Sequence, residues 1–100
     1  MKPEYIIKQG IYKIIRVNGT EELVLGKPSS KKIMEVIDAE GLDTVILDFK
    51  NCQVMMVDDT GLIDGKPENP IATQLYRSVC KPGSKGTIHG DVVLVNDKDF

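Results

Sequence analysis

Four groupings of residues have the types and spacing to do chemistry. The segment VMMVDDTGLIDG, residues 54 to 65, sets an Asp-Thr-Gly behind an apolar run. Used twice across a dimer, such a unit would bring two carboxylates together to share one proton and activate water. His89 lies two residues before Asp91; on a strand the two side chains share a face, and an imidazole beside a carboxylate can act as a general base. Asp48 likewise ends an apolar run. ENPIATQLYR, residues 68 to 77, reads as the start of a helix, whose first turn offers unpaired N–H donors and the positive end of the helix dipole. Thr73, Tyr76 and Arg77 add hydroxyls and a fixed cation within two turns of Asn69, so this helix end could receive a phosphate or carboxylate. Cys80 follows with no His nearby in sequence, which argues against a thiolate nucleophile.

Each grouping also has a plainer reading. In the aspartic proteases the Asp-Thr-Gly lies near the start of an all-β chain and an apolar-apolar-Gly segment follows at long range. Here it falls past the middle, TIHG follows at residues 87 to 90, and two helices are expected. Asp58 and Asp59 are therefore expected to begin a turn, with Gly61 taking a backbone angle closed to other residues. His89 and Asp91 read as a polar pair at a strand entrance, because spacing alone brings no nucleophile or metal to them. Asn69 reads as a helix cap and Arg77 as a solvated cation. No residue is assigned a catalytic role; the alternative is a small hydrolase using Asp59, His89 or Asp91, with or without a metal ion held by carboxylates.

The elements that must position these residues follow from pattern. IYKIIRVNGTEELVL, residues 11 to 25, places Asn18-Gly19 between two apolar stretches, the signature of a hairpin with a type I′ turn. Ile14 and Ile15 fall on opposite faces, so the first strand is expected to be covered on both sides. In GKPSSKKIMEVIDAEG, Ser29 or Ser30 caps a short helix. Ile33, Met34, Val36 and Ile37 form its apolar stripe, and Gly41 suits the left-handed residue beyond it. Thr44 to Phe49 and Gln53 to Asp58 form a second antiparallel hairpin. A turn-rich loop leads from Asp58 to Glu68, and a helix then opens with Asn69 as cap and Pro70 in its first position, with Ile71, Leu75 and Val79 as the stripe. Val92 to Val95 is the last strand, entered by a bend or bulge at His89-Gly90-Asp91. The expected fold is α+β: a mainly antiparallel sheet of about five strands with two short helices packed on one face.

Composition narrows the function classes. The 100 residues suit one domain, with 41% hydrophobic and 28% charged residues, five aromatics and no Trp, so Ile, Val, Leu and Met must build the core. Thirteen basic and fifteen acidic residues are mixed along the chain, for a net charge of -2. No basic block exists to displace the counterions of a duplex, and the acidity falls short of a DNA mimic. Cys52 and Cys80 form neither a redox pair nor a zinc knuckle, a single His is present, and no cofactor or metal is expected. With no charged-then-apolar leader and no apolar run near ~20 residues, the expected location is the cytoplasm, with no membrane partner.

From about Leu42 onward the chain resembles a domain-of-unknown-function family of small proteins from bacteriophages and other bacterial mobile elements. The likeness is carried by VMMVDDTGLIDGKP, then NPIATQLY, then IHGDVVLVN, in that order. The helix around Ile33 to Ile37 also looks like that family's first helix, whereas the Asn18-Gly19 hairpin and GKPSS depart from its usual opening. The resemblance implies a compact α+β fold, a mobile-element origin and a chain-reversing role for the acidic turn; it carries over no catalytic residue. The functional expectation is a non-enzymatic accessory protein of counter-defence, acting in the host cytoplasm by sequestering a small anionic, nucleotide-like ligand or by masking a host protein. For an anionic ligand the expected site is Asn69, Thr73, Tyr76 and Arg77. A further option is a module that forms a homodimer through an exposed strand edge.

Overall fold

The computed structural model describes residues 6 to 99. Five strands form one antiparallel sheet: β1 (Ile11–Ile15), β2 (Glu21–Leu25), β3 (Leu42–Asp48), β4 (Gln53–Asp58) and β5 (Val92–Asn96), in the order β2-β1-β5-β4-β3. Helices α1 (Ser30–Ile37) and α2 (Pro70–Ser78) complete the α+β fold. The last strand in sequence thus lies at the centre of the sheet, between β1 and β4. Every residue of β4 and β5 is buried, which fits their dense run of Val, Met and Leu.

The two helices do not share a face. Along β5, Val92 and Leu94 point to one apolar cluster with Ile15, Met55, Val57 and Ala72 of α2; Val93 and Val95 point to another with Tyr12, Ile14, Val54 and Ile33 and Ile37 of α1. Strand alternation presents apolar side chains to both sides, so each side needs its own cover. Packing both helices on one face would have left the other apolar face in water. The expected double covering of β1 is present, with Ile14 and Ile15 both buried and in opposite clusters.

Three local details differ from expectation. The 11–25 hairpin forms, but of its two central residues only Gly19 takes positive φ (89°); Gly19 N–H donates to Arg16 O and Arg16 N–H to Thr20 O. That is a three-residue loop closed by a left-handed glycine, in place of a type I′ turn. At the end of α1 the left-handed residue is Asp38 (φ 54°), and Gly41, which has no positive φ, does not cap the helix. Ala39 N–H donates to Met34 O and Asp38 N–H to Glu35 O, so the last carbonyls are already satisfied by an Asp, a residue whose short side chain tolerates this conformation. In α2 the buried residues are Ala72 and Thr73. Ile71 and Leu75 are only half-buried and Val79 is exposed, so the inward face is rotated from the expected stripe.

The N-terminal caps are as expected. Ser29 accepts from Lys32 N–H, and Asn69 accepts from Ala72 N–H with Pro70 in the first helical position. No helix among the described residues is long and apolar enough to cross a membrane.

Candidate functional site

The acidic turn is built around a buried ion pair. β4 delivers Asp58 with its side chain 2% exposed, and Lys66 returns from the following loop to place Nζ 2.5 Å from Asp58 Oδ2. Thr60 N–H donates to Asp58 Oδ1 at 3.0 Å. Burial works to raise the Asp58 pKa, but the hydrogen bonds from Lys66 and Thr60 and the Lys66 charge outweigh it and hold the carboxyl below its ordinary value. The same ammonium donates to the Ile37 and Asp38 carbonyls at the end of α1. Asp58 and Lys66 therefore tie the 58–66 loop to α1, and Asp58 serves the turn.

Gly61 is needed for a different reason from the one expected. It does not sit in the left-handed region; a Cβ there would lie 2.5 Å from the carbonyl oxygen of His89. Gly61→Ala is expected to cost about 1–3 kcal/mol through this overpacking, read from urea unfolding midpoints. A variant as stable as the wild type would show that the two segments do not approach so closely.

His89 and Asp91 diverge. His89 Nδ1 lies 2.7 Å from the Lys66 carbonyl, which can only accept, so Nδ1 carries a proton; in the neutral imidazole Nε2 then accepts from the Thr87 hydroxyl at 2.8 Å. Asp91 instead accepts from Arg16 Nη1 at 2.8 Å and Val17 N–H at 2.9 Å. The hydrogen bond with Asp91 is the largest influence on the Arg16 pKa and raises it.

Asp59 and His89 do line one cleft of about 210 Å³, with Asp43, Val57, Tyr76 and Thr87. Asp91 lies outside it. The Asp59 carboxylate rests over Gly41, where a Cβ would come within 2.7 Å of it. No group of three or more His, Cys, Asp or Glu side chains converges as a metal site among the described residues.

The four residues of the expected anion site do not converge. Asn69 is fully buried, and its amide donates to the Ile15 and Gly90 carbonyls at 3.0 and 3.1 Å while its oxygen caps α2. Thr73 is buried and accepts from Ile88 N–H at 3.0 Å. Arg77 Nε donates to the Gly86 carbonyl at 3.0 Å, holding the loop after α2. Of the four, only Tyr76 faces the cleft, where the neighbouring Cys80 thiol, followed by burial and the Asp43 charge, holds the phenol pKa above its ordinary value. Sequence reasoning missed Asp43 and Lys66. Lys66 stands out in the sequence as a lone cation in an acidic loop, but nothing local pairs it with Asp58 across the intervening turn.

No protein-family model, curated protein or solved structure matches the chain.

Proposed function

We propose a non-catalytic binding protein that acts by occupancy and masks a protein surface. The observation that carries this reading is that both edges of the sheet expose large apolar side chains: Leu23 and Leu25 on β2 (66% and 87% exposed) and Ile46 on β3 (56%). An open edge with apolar side chains is a template for pairing with another chain. The anionic-ligand form of the reading has less support, because Asp43 and Asp59 line the cleft that Tyr76 faces. The mobile-element, counter-defence setting in a host cytoplasm rests on the three sequence motifs alone.

Native mass spectrometry of the chain recovered from infected-cell lysate tests the reading. The expected result is a stoichiometric protein complex, lost in Leu25→Lys or in Ile46→Lys at an unchanged melting temperature. A second reading, hydrolysis, is favoured by Asp59 and His89 sharing a cleft. Turnover of nucleotides with or without Mg²⁺ or Mn²⁺, and no protein complex, would establish it and overturn the first.

A further inference from the structure

Among the described residues no strand pairs with the outer side of β3, and the register of that edge is defined. Asp59 N–H donates to Gly41 O, so Gly41, and by alternation Asp43 and Val45, turn their backbone groups toward β4. Leu42, Thr44 and Ile46 therefore turn theirs outward. Consistent with this, Thr44 N–H is met by the adjacent Asp43 carboxylate, at 2.9 Å.

Two hollows flank this edge on opposite faces. On the α2 face is the cleft of Asp43, Asp59 and Tyr76; on the α1 face is a hollow of about 320 Å³ lined by Ile46, Phe49, Cys52 and Val54 and edged by Asp48 and Asp97. Among the described residues, the Asp and Glu side chains lining the two hollows are Asp43, Asp58 and Asp59 in the first, with Asp58 already paired to Lys66, and Asp48 and Asp97 in the second; no described Lys or Arg lines either. Asp43 and Asp59 form no ion pair among the described residues.

We propose that the β3 edge takes up an extended peptide segment as a sixth, antiparallel strand, with an apolar side chain beside Ile46 and a Lys or Arg three residues later entering the cleft of Asp43 and Asp59. The inference rests on the protein-masking reading. The spacing follows from alternation: the residue opposite Ile46 projects to the α1 face, and the residue opposite Asp43, three further along an antiparallel partner, projects to the α2 face. Backbone pairing supplies affinity and the two hollows supply selectivity. Tyr76 offers an aromatic wall to the cation beside the two carboxylates.

The test is fluorescence anisotropy with labelled synthetic peptides of extended, Thr-rich sequence carrying one Leu and one Arg, their separation varied. Binding is expected to peak when Arg follows Leu by three. It is expected to weaken about tenfold in the Asp43→Asn, Asp59→Asn double variant, as for loss of a charged pair in a partly enclosed site. It should vanish when the peptide is N-methylated at the positions that pair with Thr44 and Ile46. Equal binding of the N-methylated peptide, of an Arg-to-Glu peptide, or of all spacings would overturn the proposal. So would a self-associated dimer that Ile46→Lys dissolves. If a protein complex survives Ile46→Lys but is lost in Leu25→Lys, the masking reading stands and the β3 site falls.

Discussion

Asn69→Asp is expected to lower the unfolding free energy by about 3–5 kcal/mol, although Asp is as good a helix cap as Asn on an exposed helix. The side chain is fully buried, and its amide is the donor to the carbonyls of Ile15 and Gly90. An Asp would still accept from Ala72 N–H, but it would turn an oxygen toward two carbonyl oxygens. Each lost buried hydrogen bond leaves a polar group without its partner, at roughly 1–3 kcal/mol. The buried carboxyl would have a raised pKa, so its penalty is present above that pKa and shrinks as pH falls, when a protonated Asp can donate to one carbonyl. Urea unfolding at neutral and acidic pH measures both effects. A loss below about 1 kcal/mol, the scale of a surface cap, would show that Asn69 does no more than cap α2.

Lys66→Met is expected to cost about 3–5 kcal/mol, because it leaves the Asp58 carboxylate buried without its counter-charge. The pH dependence gives an independent check. In the wild type the Asp58 pKa is depressed, so its contribution is present above the unfolded-state value and is lost as pH falls through the folded value. Without Lys66, burial dominates and raises the pKa, so the variant gains relative to the wild type as Asp58 takes up a proton. The gap between the two proteins should therefore narrow on acidification. Asp58→Asn in the Lys66→Met background should recover part of the loss. A gap constant with pH would mean that Asp58 and Lys66 are not coupled.

The elements were legible because their signals are local. Ser29, Asn69 and Pro70 mark helix starts through the donors they satisfy or lack, and apolar, β-branched runs mark the strands, although the third begins at Leu42 and ends at Asp48 where the pattern suggested Thr44 to Phe49. The candidate sites were less legible. Asn69, Thr73, Tyr76 and Arg77 follow one another at helical spacing, yet the segments that Asn69, Thr73 and Arg77 bond to, at Ile15, Gly90, Ile88 and Gly86, are remote or follow a loop of no fixed pattern.

By itself the sequence determined which stretches are helix, strand and turn, and that the first strand is covered on both sides. Only the tertiary structure decided that the last strand sits at the centre, that the helices cover opposite faces, that Lys66 belongs to Asp58, and that His89 turns to the Lys66 carbonyl and away from Asp91. The reason is that local propensity acts through neighbours in the chain, whereas strand order and polar pairing are settled by which arrangement buries both apolar faces and leaves the fewest buried polar groups without partners.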